Sequence, residues 1–220
     1  MNLTWLGHSC VLLRGTRKVL IDPFTGGGSV AGTQPDIVAV THGHHDHLGE
    51  AVALGKRTVA IAEIAKYLKA QGVPVESMGI GGTIDVEGVS FTMTPALHSS
   101  SIEEKGTILC GGLAAGFVIG MDGVRVYHAG DTALFSDMKL IGDLYHPDVA
   151  LLPIGGRYTM GTAEAMIAAN FIGAKMVIPI HYNTFGSISA DPEIFKKSIE
   201  RTTDLKVRIL QPGGSVDLPA

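Results

Sequence analysis

Four side chains that could bind divalent metals stand in one six-residue segment of the chain. They are His42, His44, Asp46 and His47, and they fit the spacing H-x-H-x-D-H. Imidazole and carboxylate groups are the ligands that zinc, manganese and iron favour. One cation held by all four side chains would crowd them, so two neighbouring cations are the easier arrangement. A polar loop with coincidental histidines is the alternative, and four histidines in six residues argue against it.

The segments around this motif predict where it lies in the fold. Residues 36–40 form a short apolar run typical of a buried strand, and residues 48–54 favour a short helix. Three further candidate ligands also follow predicted strands: His98 after 89–94, Asp131 after 124–128 and His181 after 176–180. In open α/β sheets, ligands bind beyond the carboxyl ends of the strands. We therefore expect the fold to bring these side chains together.

The chain resembles the metallo-β-lactamase-fold hydrolases over essentially its whole length. Within them it is most similar to the small metal-dependent hydrolases that are related to ascorbate-6-phosphate lactonases. The histidine motif carries the resemblance to the superfamily, and segments 5–9, 21–23, 95–98, 127–132, 152–156 and 179–182 carry the resemblance to the branch. None of these segments names a substrate.

This resemblance implies the fold and the ligands. The expected class is α/β (α+β), with residues 1–220 forming one domain, a four-layer αββα sandwich with both sheets in the centre. One cation would be bound by His42, His44 and His98, and the other by Asp46, His47 and His181. Asp131 would bridge the two cations. Antibiotic-cleaving members lack a bridging Asp at this position and are exported, so the resemblance argues against β-lactam cleavage.

The same ligands imply a hydrolytic mechanism. Two cations about 3.5–4 Å apart lower the pKa of a bound water from 15.7 to ~7, so a bridging hydroxide could attack a small ester, lactone or phosphoester. No Ser or Cys nucleophile would be needed. A phosphodiesterase or nuclease-like hydrolase is the alternative among enzymes. A metal-binding protein with vestigial activity is the alternative outside them.

Other histidines have several candidate roles. His8 and His128 stand near predicted strand ends, where an imidazole could orient the substrate or protonate the leaving group. We expect them, with Asp46, to be catalytic; the alternative is a buried imidazole satisfied by its neighbours. His45 is as compatible with solvent as with the pocket, and His146 is expected at the surface.

Composition excludes other classes. The chain has 220 residues, 45% of them hydrophobic and 17% charged, with a formal net charge of −4, which indicates one globular domain. No basic patch for nucleic acid is visible in the sequence, which leaves open a patch formed by folding, and we expect no nucleic acid partner. Neither a leader nor an apolar stretch long enough to span a membrane is recognised. Two cysteines, Cys10 and Cys110, indicate a reducing compartment rather than a disulfide framework. We expect a cytoplasmic enzyme with a small-molecule substrate; a homo-oligomer is compatible with the sequence.

The remaining pattern predicts a β-rich first half and alternating strands and helices in the second. The Gly-rich residues 23–35 are either a connector or a lid over the site. Strands are expected at 2–6, 10–14, 17–22, 57–61, 113–121, 124–129, 148–153, 175–180 and 206–210, with short antiparallel strands in 75–94 and a loop at 95–112. Helices are expected at 62–71, 133–144 and 162–172 and from Asp191 onward.

Overall fold

Two large sheets contain most of the strands in the computed structural model, which describes residues 1–218. The strands are, in chain order, β1 (Asn2–Gly7), β2 (Cys10–Arg14), β3 (Lys18–Ile21), β4 (Ile37–Ala39), β5 (Arg57–Ile61), β6 (Val75–Met78), β7 (Thr83–Val86), β8 (Val89–Pro95), β9 (Ser101–Glu104), β10 (Thr107–Cys110), β11 (Ala115–Met121), β12 (Val124–His128), β13 (Val149–Pro153), β14 (Met176–Ile180), β15 (Lys206–Val207) and β16 (Ser215–Asp217), and β9 and β10 form a separate two-stranded sheet. The helices are α1 (His45–Leu48), α2 (Ala51–Leu54), α3 (Ala62–Ala70), α4 (Met138–Tyr145), α5 (Thr162–Ile172) and α6 (Pro192–Thr202).

Strand direction determines which strand ends meet. The first sheet has the order β16-β1-β2-β3-β4-β5-β6, and the second has the order β15-β14-β13-β12-β11-β8-β7. In the first sheet β1 and β3 are both antiparallel to β2, and β4 is parallel to β3. In the second, β8 and β12 are both antiparallel to β11, and β13 and β14 continue parallel to β12. Strands β1, β3 and β4 therefore end at one edge of their sheet, as β8, β12 and β14 do in theirs.

The core lies mainly between the two sheets. Alternate residues of the first sheet, such as Leu3 and Leu13, join one large buried cluster that also contains Phe91 and Phe117 of the second sheet. The opposite face of the first sheet carries a smaller cluster around Leu12. Helix α3 packs on β5 and β6, while α5 and α6 pack on β13 and β15. The predicted four-layer αββα fold is confirmed.

Several predicted elements differ from the observed ones. Strand β6 pairs parallel with β5 in the first sheet, so only β7 and β8 form the antiparallel pair expected in 75–94. The predicted loop 95–112 contains the hairpin β9–β10. The helix expected at 48–54 is two short helices separated by residues 49–50, and the one expected from 133 begins at Met138. The strand at 206–210 is shorter than predicted, and β16 pairs with β1 beyond it.

The Gly-rich segment after β3 is held by one carboxylate. Glu50 accepts hydrogen bonds from Ser29 Oγ at 2.7 Å and from the Val30 amide at 3.0 Å. Thr25 Oγ1 donates to the Gly28 carbonyl at 2.6 Å and closes a turn inside the segment. The segment is thus tied down next to the helices of the histidine motif. Among residues 1–218, none of the helices has the length and apolar character required to span a membrane.

Candidate metal centre

The candidate centre lies where the two sheets meet at their carboxyl edges. Sheet one contributes the motif that follows β4, with Asp46 and His47 on α1. Sheet two contributes His98 after β8, Asp131 after β12 and His181 after β14. Gly130, with φ of +62°, allows the β12 end to approach the first sheet, because a Cβ there would stand 2.6 Å from the Ala115 carbonyl and 3.1 Å from Thr41. The ends of these strands therefore bring together side chains that are far apart in sequence.

All seven sequence-predicted ligands lie in one cluster. Their donor atoms fall into groups in which every atom is within 4.8 Å of the others. These groups are His42, His44 and His98; His42, His47 and Asp131; and His8, Asp46, His47 and His181. The third group contains His8, which was expected beside the ligands rather than among them. Because the groups share His42 and His47, the cluster is continuous.

One ring nitrogen of His42 lies close to one ring nitrogen of His44. His42 Nε2 and His44 Nδ1 are 3.0 Å apart. The remaining nitrogens have oxygen neighbours, Thr41 Oγ1 at 3.1 Å for His42 and Ser99 Oγ at 3.4 Å for His44. Burial lowers the pKa of both imidazoles, so both are neutral. If the outer nitrogens carry the protons, two lone pairs point at each other, which is an arrangement that a cation between them would satisfy.

Asp131 is the centre of the cluster. Its Oδ1 is 3.3 Å from His47 Nε2, and its Oδ2 is 3.0 Å from His181 Nε2 and 3.7 Å from His98 Nε2. Asp131 Oδ1, His47 Nε2 and His181 Nε2 are buried without a properly aligned hydrogen bond among the described residues. Buried polar atoms are rarely left unpaired in this way. Converging, unpaired nitrogen and carboxylate atoms fit a pair of divalent cations.

The charges of His47 and Asp131 depend on each other. Burial alone would lower the pKa of His47, but the Asp131 and Asp22 carboxylates outweigh it and raise that pKa well above its usual value. Burial would likewise raise the pKa of Asp131, yet His47 and His181 hold it well below its ordinary range. In this structure a proton on His47 balances the negative charge of Asp131, and a bound cation could balance that charge instead. The site is therefore anionic once its imidazoles are neutral, as a cation site should be.

Asp22 supports two of the histidines, a role that the sequence analysis did not assign. It is fully buried just after β3; its Oδ2 accepts from His47 Nδ1 at 2.7 Å and from Thr41 Oγ1 at 2.8 Å, and its Oδ1 accepts from the Thr41 amide at 2.8 Å. Because the Thr41 hydroxyl gives its only proton to Asp22, it must accept one from His42 Nδ1. When the two rings are neutral, Asp22 thus places their protons on Nδ1 and leaves Nε2 of both histidines available to a cation. The position of Asp22 at a strand end is the sequence feature that could have indicated this role.

Three polar residues at the site have left-handed backbone. His8, Asp22 and His181 have φ of +51°, +47° and +53°. Such non-glycine conformations cost energy and cluster at functional sites. The His181 amide donates to the His8 carbonyl at 2.8 Å, and the Trp5 indole donates to the same carbonyl at 2.9 Å. These bonds join the end of β1 to the end of β14 and stabilise both strained turns.

His8 links the centre to a neighbouring loop. Its Nε2 lies 3.1 Å from Asp46 Oδ2, and its Nδ1 lies 3.0 Å from Thr184 Oγ1. Its ring is 4.2 Å from the His181 ring and is 1% exposed. Burial lowers the pKa of His8, so the ring is neutral. A neutral ring whose Nδ1 accepts from Thr184 donates from Nε2 to Asp46 and orients that carboxylate.

His128 does not face the pocket, which corrects the catalytic role expected for it. The ring is fully buried; its Nδ1 accepts from the Gly130 amide at 3.1 Å, and its Nε2 donates to the Ser9 carbonyl at 2.9 Å. Both nitrogens are therefore used by backbone groups, and neither is available to a substrate. His128 fastens the end of β12 to the turn after His8. His45 and His146 are exposed.

Known proteins resemble this chain in sequence and in fold. Residues 2–181 match a family model described as the beta-lactamase superfamily domain. A UPF0173 metal-dependent hydrolase of Methanoregula boonei is 70% identical over 100% of this chain and 99% of its own length, and one of Methanoculleus marisnigri is 63% identical over 99% and 97%. The solved structure of Igni18, a metallo hydrolase from Ignicoccus hospitalis, superimposes with a TM-score of 0.88 at 37% identity and covers 98% of this chain and 97% of its own. The chain therefore belongs to the metallo-β-lactamase superfamily and, within it, to the UPF0173 metal-dependent hydrolases.

Proposed function

We propose that this metal-dependent hydrolase binds two divalent cations, zinc, manganese or iron, and cleaves a small ester, lactone or phosphoester. The observation that supports two cations is the position of Asp131. Its Oδ2 lies near His98 of the first predicted ligand set and also near His181 of the second. A single carboxylate within reach of both sets is what a bridging ligand requires. A site for one cation would leave one of these sets of converging nitrogens unused.

The proposed ligand sets follow the groups of converging atoms. His42, His44 and His98 would hold one cation, and Asp46, His47 and His181 the other. When bound, the two cations would supply an activated water as the nucleophile and would stabilise negative charge on the attacked group. Ligand types without thiolate are compatible with all three metals. Asp22 favours the tautomers of neutral His42 and His47 in which Nε2 is available to a cation.

The chain's own side chains position the reacting groups. His8 fixes Asp46 through the 3.1 Å contact, and Asp22 fixes His47 through the 2.7 Å contact. Cys10 is fully buried, and burial raises the pKa of its thiol, so it is not a nucleophile. The proton that the leaving group needs can come from Nε2 of His8 or from solvent. The variants described in the Discussion distinguish these sources.

Turnover with and without chelator tests this function. Purified full-length protein, loaded with manganese or zinc, is assayed on esters, lactones, phosphorylated lactones and phosphodiesters. We expect hydrolysis of at least one ester or lactone, its loss on chelation and its recovery when metal is restored. Asp131→Asn should remove this metal-dependent turnover, and Asp36→Asn, at an exposed carboxylate, should not. Cleavage of phosphodiesters alone would identify a phosphodiesterase. Two tightly bound metals without any turnover would favour a metal-binding protein with vestigial activity.

A further inference from the structure

A cleft of about 600 Å³ adjoins the candidate centre at His8. Its walls come from the end of β1, the Gly-rich segment after β3, the loop after β14 and the segment before β16. Trp5, Thr25, Tyr182, Thr184 and Gln211 are among the residues that line it. The volume is within the range of about 300–1,000 Å³ that small-molecule sites occupy. The cleft is large enough for the part of a substrate that does not react.

The lining of the cleft carries no formal charge. None of its described residues is Lys, Arg, Asp or Glu. Phosphate and carboxylate groups are commonly paired with Arg or Lys, and burying a charge without a cationic partner is costly. Helix α6 begins beside the cleft at Pro192, but its first turn is occupied by acidic groups: Asp191 Oδ1 accepts from the Glu193 amide at 2.8 Å. The protein therefore provides no countercharge for an anionic group here.

Most polar groups of the lining are already satisfied. The Asn183 side chain exchanges two hydrogen bonds with the Ala190 backbone at 2.9 and 3.0 Å. Thr25 closes its own turn on Gly28, and Thr184 contacts His8. Among residues 1–218, Gln211 is the lining carboxamide whose side chain makes no internal hydrogen bond. The Tyr182 hydroxyl and the amides of Gly26 and Gly27 also make no hydrogen bond among the described residues, so the cleft offers apolar walls and several uncharged polar groups.

Two aromatic rings lie beside His8, where the cleft adjoins the centre. The ring centroids of Phe24 and Phe185 lie 5.5 and 5.6 Å from that of His8, and Phe185 is 43% exposed. Gly26 brings the Gly-rich segment against the loop after β14, since a Cβ there would stand 2.2 Å from Thr184 Cγ2. A substrate that reaches from the centre into the cleft would cross apolar surface. Such a path suits an uncharged chain better than an ionised one.

We propose that this cleft binds the non-reacting part of the substrate and selects an uncharged organic group there, so that the natural substrate is a neutral ester or lactone rather than a phosphorylated one. This proposal rests on the proposed hydrolytic function of the adjoining centre. The reacting carbonyl would lie at the centre, and the uncharged remainder would lie against Trp5, Tyr182 and Gln211. Gln211 is the specificity-determining residue.

Two adipates that share the same 4-nitrophenyl ester bond test the proposal. Methyl 4-nitrophenyl adipate is neutral, and 4-nitrophenyl hydrogen adipate carries a remote carboxylate. We expect the metal-loaded wild-type protein to favour the neutral ester on the order of tenfold in kcat/KM, mainly through KM, because the cleft has no countercharge. Gln211→Lys should reduce this preference by roughly fivefold, as one partly exposed ion pair can, and Gln211→Glu should increase it. Gln71→Lys, at an exposed position after α3, is the control for net charge.

A binding measurement separates this proposal from the function on which it rests. Trp5 is the single tryptophan of the chain and lines the cleft, so its emission reports occupancy without turnover. We expect N,N′-dimethyladipamide to change this emission saturably and the adipate dianion to bind more weakly. Binding without hydrolysis of either ester or of any substrate class in the turnover assay would contradict the hydrolytic function and leave the cleft assignment standing. Hydrolysis with no dependence on residue 211, or a wild-type preference for the acid, would overturn the cleft assignment.

Discussion

Asp22 controls which nitrogen of His42 and His47 is available to a cation. It accepts from His47 directly and from His42 through the Thr41 hydroxyl. In Asp22→Asn, the amide would point a donor at one of these donors and favour the wrong tautomer. We expect metal affinity to fall by roughly 10- to 100-fold, the usual cost of losing such support. Competition against a chromophoric chelator measures it, with Asp36→Asn as the matched exposed control; equal affinities in the two variants would refute this role.

His8 and His128 should respond differently to the same substitution. His8→Ala frees Asp46, so we expect one cation to bind roughly 10- to 100-fold more weakly while the other is unaffected. His128→Ala leaves the Ser9 carbonyl and the Gly130 amide unpaired, which should lower the free energy of unfolding by about 2–4 kcal/mol. Metal titration and urea unfolding of both variants measure these effects. If His8→Ala kept both affinities but lost about 10²-fold in turnover, His8 would be the proton donor instead.

Residue types and strand ends were enough to predict the cluster. The directions in which individual side chains point could not be predicted in this way. The seven predicted ligands converge because each follows a strand whose end lies at the common edge. His8 and His128 both stand near predicted strand ends, and the sequence predicts a catalytic role for each. The His128 ring turns to the Ser9 carbonyl, whereas His8 contacts Asp46. Only the backbone, with its left-handed turn at His8, determines these directions.

Strand β16 pairs along the outer edge of β1, and the sequence pattern did not predict this strand. It is three residues long and pairs with β1 through contacts such as Thr4 Oγ1 to Ser215 Oγ at 2.8 Å. Its short polar run resembles a loop. The hairpin β9–β10 was missed for a similar reason, because every residue of β10 is exposed and no alternation appears. Strands with a buried face, such as β2, β12 and β14, were predicted within one or two residues.

Leu218 anchors the chain that follows β16. Its side chain is 5% exposed within the main core, and its amide donates to the Met1 carbonyl at 2.8 Å. We expect Leu218→Ala to lower the free energy of unfolding by about 2 kcal/mol, near the lower limit for a buried leucine because an edge can relax. Leu144→Ala, at a side chain that is 67% exposed, should cost at most ~0.5 kcal/mol. Urea unfolding with chelator present compares them; equal midpoints would contradict the anchoring role.

A few short sequence motifs were enough to predict the fold of the whole molecule. A resemblance carried by short motifs implied the αββα sandwich, and the two seven-stranded sheets confirm it. The crossover that places β6 in the first sheet and β7 in the second could not be predicted, because both strands are short and separated by glycines. The narrower similarity to ascorbate-6-phosphate lactonases stays a prediction. Substrate identity depends on loops, and loops carry little periodic signal.

Metal content per chain tests the central claim most directly. Full-length protein purified without chelators is saturated with manganese or zinc, passed through a desalting column and analysed for metal and protein. We expect two equivalents per chain in the wild type. We expect Asp131→Ala to weaken both sites together, because one carboxylate lies between the two ligand sets. A firm value of one equivalent in the saturated wild type, or two tightly held equivalents in Asp131→Ala, would contradict the dinuclear centre.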